Sequence, residues 1–312
     1  MQSLMLTMRM KKKSKKQVTK MNLICLAERN SIYYDSPGDS IRVFILYIGK
    51  IIANMLFSKN RKGCIFKTSE IHDMSYEYTD LIIETMRKAE EKNHDALETL
   101  IREMMRTVEE DKLIHTFGTG HGHMIGMELF DRAGGLANVD CILDNAVLLS
   151  QGARRSSEIE RVSGVSDIIY DTYHIEPGDI MIISSNSGRN AMPIEMAMRC
   201  KKEGIFTAAI TNVEQSKKTV SRHASGKKLY ECVDLVIDNC CPGGDALLEY
   251  DGIMTGPATS IVGMNLVNIA ATETIKRCLE KGIRPYVFQS QNIDGYNNEE
   301  VIRKFLHRIR HI

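Results

Sequence analysis

Residues 177–190 read Pro177-Gly178-Asp179-Ile180-Met181-Ile182-Ile183-Ser184-Ser185-Asn186-Ser187-Gly188-Arg189-Asn190. Pro-Gly-Asp makes a turn. Ile180–Ser184 is a short β-type run, and a loop of hydroxyl and amide side chains follows it. Met192–Lys202 then reads as a helix, stopped by Gly204. Turn, strand, polar loop and helix in that order form half of a βαβ unit.

The unit recurs on both sides. Leu113–Phe117, Val139–Leu143, Phe206–Thr211 and Val233–Asp238 are further β-type runs, and the five starts lie 26, 41, 26 and 27 residues apart. Every gap but the long one holds about one loop, one helix and one loop. Met124–Ala133 is the helix of the first gap, closed by Gly134-Gly135. This spacing predicts an α/β fold, a parallel sheet with helices on both faces. Ahead of it, Tyr78, Ile82, Thr85/Met86 and Ala89 mark one helical stripe, and Leu97, Leu100/Ile101, Met104 and Val108 another. Lys92-Asn93-His94 is the turn between them, which predicts a helical hairpin.

In such folds ligands sit at the carboxyl ends of the strands, where loops meet helix N-termini. Two loops stand out. Gly118-Thr119-Gly120-His121-Gly122-His123 follows the first strand, and its glycines let backbone N–H groups approach a ligand. A dinucleotide fingerprint needs glycine where His123 stands; Asp144 lies at a ribose-binding distance, so that site stays open as the lesser reading. No Walker A loop is present. The second loop, after the third strand, offers Ser185, Ser187 and Asn190 as donors to a phosphate monoester; the alternative is an ordinary Ser/Asn helix cap. Gly256-Pro257-Ala258-Thr259-Ser260 precedes a long helix, Ile261–Leu279, with Thr259 or Ser260 as its cap. Arg222-His223-Ala224-Ser225-Gly226-Lys227-Lys228 adds local positive charge.

Charge divides the chain. The 312 residues carry 41 Lys+Arg and 40 Asp+Glu, net +1, yet residues 1–73 hold +9 and residues 74–312 hold −8. The chain is therefore expected to comprise a basic N-terminal extension, 1–73, and one domain, 74–312. The extension reads as a disordered arm or as the result of a start placed too far upstream, with Met74 the functional start. A basic membrane-surface helix around Phe44–Met55 is the third reading. The apolar stretch Ile41–Phe57 is too short and too charged for a confident membrane span and too far in for a signal peptide. The 8 cysteines contain no C-x-x-C pair and are expected to be reduced thiols in a cytoplasmic protein. An acidic domain without a helix-turn-helix argues against nucleic acid, and no membrane partner is expected.

The first glycine loop, the Pro-Gly-Asp turn with its strand, and Ser185-Asn186-Ser187-Gly188 resemble the sugar isomerase (SIS) domain family, which binds phosphosugars. The family's Ser-x-Ser-Gly-x-Thr has Asn190 in place of its Thr, and Gly122 stands where many members carry serine. Ser187-Gly188-Arg189-Asn190, Arg222-His223-Ala224-Ser225-Gly226-Lys227 and Asn292-Ile293-Asp294-Gly295 are similar to a bacterial subgroup that carries the label phosphoheptose isomerase. The resemblance covers about residues 76–312. It implies a three-layer αβα sandwich around a five-stranded parallel sheet (112–312, with C-terminal helices) behind the hairpin (74–111). It also implies a homodimer or homotetramer with sites close to subunit interfaces. Ser185, Asn186, Ser187 and Asn190 inherit the phosphate; Gly118, Thr119, Gly120, Gly188, Arg189 and Ser260 are the further substrate-binding candidates. No cofactor and no metal are expected.

Aldose–ketose isomerisation needs a base for the proton α to the carbonyl and an acid to move protons between oxygens. The catalytic candidates are Glu128, His223 and His121, with His123 and Glu249 behind them. Each has a plainer alternative: Glu128 can pair with Arg132 one turn on, His223 can cap a loop, and His121 can order its own. His121 and His123 as a zinc pair lack an evident third ligand. The expected function is sugar-phosphate binding with isomerase chemistry. The alternatives are a phosphosugar lyase or etherase, which uses the same α-proton abstraction, and a non-catalytic sugar-phosphate sensor.

Overall fold

The computed structural model describes residues 76–312, so the expectations for residues 1–73 fall outside the described residues. The hairpin comes first, as α1 (Glu77–Lys92) and α2 (His94–Glu109). Ile82 and Ala89 of α1 and Leu97, Leu100, Ile101 and Met104 of α2 are buried, so both stripes face the core. Asn93 alone turns the chain, and its side chain clips the hairpin to the sheet. Its Nδ2 donates to Ala89 O (2.6 Å) and Asp238 O (2.7 Å), and its Oδ1 accepts from Asp238 N (2.8 Å). Lys92 adds an ion pair to Asp238 Oδ2 at 2.8 Å. Asn93→Ala would remove the side-chain partner of the Asp238 N–H and leave its carbonyl only the weak Cys240 Sγ donor, and is expected to cost about 2–3 kcal/mol in chemical denaturation.

The sheet contains β1 (Ile114–Gly118), β2 (Val139–Cys141), β3 (Ile180–Ser184), β4 (Phe206–Thr211) and β5 (Leu235–Asp238), in the spatial order β2-β1-β3-β4-β5. All four pairings are parallel. The helices between strands are α3 (Gly122–Leu129), α4 (Ala153–Ile159), α5 (Val165–Tyr170), α6 (Ala191–Lys202) and α7 (Val213–Lys218). A β-hairpin, β6 (Leu248–Tyr250) and β7 (Ile253–Thr255), precedes α8 (Thr259–Glu280), and α9 (Glu299–Phe305) lies near the C-terminus.

Alternation along the strands sorts the two faces. Ile114, Ile180, Ile182, Ala208, Ile210 and Ile237 pack with α1, α2, α3 and α8. Phe117, Met181, Ile183 and Ala209 pack with α5 and α6. The result is the expected three-layer αβα sandwich. At the edge beyond β1, Leu113 and Ala137 pack with Phe288, Phe305 and Ile309 of the C-terminal segment.

Differences from expectation are local. Helix α3 ends at Leu129, before the glycine pair, because Phe130 turns extended (ψ 130°) and Asp131 then takes a left-handed conformation (φ 48°). The six cysteines among the described residues are free thiols. No helix of the described residues is long and apolar enough to cross a membrane.

Candidate functional site

The chain leaves β1 toward β2 on one side and returns to β3 on the other. That reversal is a topological switch point, where the loops after β1 and β3 part and leave a crevice at the strands' carboxyl ends. A cavity of about 270 Å³ fills it, lined by Thr119, His121 and Gly122 from the first loop and by Ser184–Ser187 and Asn190 from the second. Asn239 after β5 and Asp245, Thr259 and Ser260 at the start of α8 complete the wall with Glu160.

The second loop divides its work. Asn186 is committed to protein: its Nδ2 donates to Gln215 Oε1 (2.9 Å) and its Oδ1 accepts from Asn239 Nδ2 (2.9 Å). Asn190 is committed too, donating to Glu160 Oε1 (2.7 Å) and accepting from Arg222 Nη1 (3.0 Å). Asn190 is the N-cap of α6 by position, yet its side chain makes no cap bond. The plain helix-cap alternative is therefore not what holds this loop. The Ser185 and Ser187 hydroxyls face the cavity at the positive end of α6 with no side-chain bond of their own among the described residues.

Close packing shapes the first loop. A Cβ on Gly118 would lie 2.4 Å from the carbonyl carbon of Gly122, and one on Gly122 would lie 2.7 Å from Ser184 O. The loop turns back onto the end of β3, where Ser184 Oγ donates to Gly122 O at 2.8 Å. This explains why glycine replaces the family's serine at 122. Gly122→Ser is expected to destabilise by roughly 1–3 kcal/mol, read as a lower denaturation midpoint.

The two histidines of that loop do not act as a pair. His121 is exposed and lines the cavity. His123 is buried, its Nδ1 lies 3.3 Å from Gly120 O, and burial lowers its pKa against that hydrogen bond.

Two of the expected catalytic groups lie elsewhere. Glu128 does not line the cavity; its Oε1 accepts from Asn268 Nδ2 (3.0 Å) and pairs with Arg132 (3.3 Å), tying α3 to α8. His223 also stands off it, with Nδ1 2.7 Å from Ser225 Oγ and Nε2 3.4 Å from Glu195 Oε1. Its neighbour Arg222 is the residue that reaches a cavity-lining side chain. Glu249 is exposed on β6.

The carboxylate in the cavity wall is Glu160, just after α4, which the sequence reading did not single out. Thr119 Oγ1 donates to its Oε2 at 2.6 Å and Asn190 Nδ2 to its Oε1 at 2.7 Å, so both oxygens are held by the two loops that line the cavity. Asp245, the other acid there, is spent on structure: its Oδ1 accepts from Ala258 N (2.8 Å) and Thr259 N (2.7 Å). The expected cap of the long helix by Thr259 or Ser260 is thus supplied by Asp245 instead. That leaves the Thr259 and Ser260 hydroxyls in the cavity wall.

A family model for the SIS domain matches residues 77–212. The chain belongs to the SIS domain family. A UPF0309 protein of Caldanaerobacter subterraneus subsp. tengcongensis is 42% identical over 211 residues, 66% of this chain and 86% of that protein. One from Thermoanaerobacter pseudethanolicus is 38% identical over 248 residues, 77% of this chain and 100% of that protein. Among solved structures, the phosphoheptose isomerase GmhA from Neisseria gonorrhoeae aligns with TM-score 0.43 and 14% identity, covering 62% of this chain and 93% of that one. The Vibrio vulnificus NanR protein complexed with ManNAc-6P aligns with TM-score 0.39 and 13% identity, covering 77% and 70%.

Proposed function

We propose that the chain binds a phosphorylated sugar in the switch-point cavity and interconverts its aldose and ketose forms. The observation that carries the binding is the pair of uncommitted hydroxyls, Ser185 and Ser187, ahead of the N-terminus of α6 in a cavity whose wall is mostly polar, with Ile125 and Ile210 as its apolar members. They and the helix N–H groups suit a phosphate monoester. Thr119, Gly188, Arg189 and Ser260 stay candidates for contacts to the same ligand.

The isomerase reading draws support from Glu160. A carboxylate fixed by donors from both ligand loops is placed to take the proton α to the carbonyl and return it to the neighbouring carbon, leaving the molecule's composition unchanged. His121, exposed at the rim, is the candidate for proton transfer between the oxygens. Glu128 and His223 are left out of this assignment because their side chains are paired away from the cavity.

The experiment is a thermal-shift screen of hexose, heptose and amino-sugar phosphates against the unphosphorylated sugars, followed by NMR of each binder with enzyme in D₂O. Binding to the native state raises apparent stability. The expected result is a shift for phosphorylated sugars only, with deuterium appearing at the α carbon of one binder. Shifts without exchange or turnover would favour the sensor, and loss of a substituent would favour the lyase.

We also propose a homodimer or homotetramer. Met124 and Met127 on α3 and Ile261 on α8 are 40%, 48% and 41% exposed, an apolar strip beside cavity-lining His121 and Ser260. Light scattering after size exclusion is expected to give at least twice the monomer mass. A monomer would contradict this.

A further inference from the structure

Three arginines gather next to the cavity without a carboxylate each. Arg161 follows Glu160 directly, Arg189 precedes Asn190, and Arg222 reaches Arg189 and Asn190, its N donating to Arg189 O (2.8 Å) and its Nη1 to Asn190 Oδ1 (3.0 Å). The Arg161 guanidinium donates to Ser157 Oγ at 3.1 Å and, among the described residues, to no carboxylate. Among the described residues, none of the three forms an ion pair within 4.0 Å. By contrast, Arg106, Arg199 and Arg277 each hold two or more carboxylates. Arg189 Nε is buried and has no partner. The Arg222 guanidinium has a lowered pKa, through desolvation and then through Arg189 and Arg161, with Glu160 the opposing charge.

Arg189 and Arg161 act on Arg222 as like charges, opposed by Glu160 alone, and a buried guanidinium donor left unpaired costs stability. Both costs are relieved by an anion. The phosphate cradle does not account for the cluster, because the Ser185 and Ser187 hydroxyls line the cavity and none of the three guanidinium groups does. Glu160 and Asn190, hydrogen-bonded to each other, line the cavity, and the bond from Arg222 to Asn190 ties the cluster to that wall.

We propose that the natural ligand carries a second anionic group, a carboxylate or a second phosphate, held by Arg161, Arg189 and Arg222 while its first phosphate sits at Ser185 and Ser187. The guanidinium fork fits either group bidentately. This rests on the sugar-phosphate reading and narrows it to dianionic-ended sugars, such as a bisphosphate or a phosphorylated sugar acid.

The test is calorimetric titration of the full chain with fructose 6-phosphate, fructose 1,6-bisphosphate and 6-phosphogluconate, repeated on Arg161→Gln, Arg222→Gln and Arg222→Lys. At least one dianionic-ended probe is expected to bind tenfold or more tightly than the monophosphate. Each Gln variant is expected to weaken that probe at least tenfold more than it weakens the monophosphate, with Arg222→Lys between wild type and Arg222→Gln. Equal losses for all probes would assign the cluster to the first phosphate and overturn the inference. So would a monophosphate that binds as well as both others. If no phosphorylated probe binds, the sugar-phosphate reading itself falls, and this inference with it.

Discussion

Glu160→Gln is expected to lower isomerase turnover about a hundred- to ten-thousand-fold, the usual range for one acid–base group, with sugar-phosphate affinity retained. The substitution is nearly isosteric. Thr119 Oγ1 and Asn190 Nδ2 now donate to the two carboxylate oxygens, at 2.6 and 2.7 Å. A glutamine with its oxygen toward Asn190 keeps that bond, and the Thr119 hydroxyl can turn to accept from the new amide. What disappears is the basic oxygen. Glu160→Asp keeps the base but draws it back by one methylene, so an intermediate rate is expected. Deuterium incorporation at the α carbon, followed by NMR, separates the chemical step from binding. Turnover within tenfold of wild type in Glu160→Gln would remove Glu160 from the chemistry.

His115→Gln is expected to destabilise the fold by about 3–5 kcal/mol, the cost of leaving buried charge without its partner. His115 on β1 is 0% exposed, with Nδ1 3.3 Å from Asp140 Oδ2 and Nε2 3.1 Å from Asp179 Oδ2. Desolvation alone would lower its pKa; the two carboxylates outweigh it and raise it. Asp179 is the mirror case. Burial would raise its pKa, but His115 and the N–H groups of Leu113 and Glu176, each donating at 2.8 Å, bring it below the ordinary value. A raised histidine pKa stabilises the fold fully below the unfolded value of about 6.5 and stops doing so as pH climbs through the folded value. A lowered aspartate pKa stabilises above about 3.9 and stops as pH falls through the folded value. Wild-type stability should therefore be greatest between these limits and decline on the alkaline side. His115→Gln should abolish that alkaline decline. Urea denaturation across pH measures both, and a variant as stable as wild type would refute the buried triad's role.

The strands were legible because each is a short apolar run at βαβ spacing, and the loops because glycine or Ser/Asn runs followed them directly. Glu160 was not legible. It sits in a charged stretch, Arg154-Arg155-Ser156-Ser157-Glu158-Ile159-Glu160-Arg161, that reads as a solvated helix face. Only packing of α4 beside the two loops turns one of its acids inward. The same holds for the triad, whose members come from β1, β2 and the turn before β3 and meet through register, His115 lying opposite Asp140. Asp245 capping α8 from thirteen residues upstream is likewise a tertiary fact. One miss did carry a local signal. Tyr250-Asp251-Gly252-Ile253 is an Asp-Gly hairpin turn, with φ of 51° and 80° at its two central residues, and it joins β6 to β7.

Calorimetric affinity of a bound sugar phosphate for wild type and for the double variant Ser185→Ala/Ser187→Ala tests the cradle most directly. Each hydroxyl bonded to a phosphate contributes about 1.5–3 kcal/mol. The double variant is therefore expected to bind at least about a hundred-fold more weakly, with its fold intact by circular dichroism. An unchanged affinity would contradict the assignment of the phosphate to this loop.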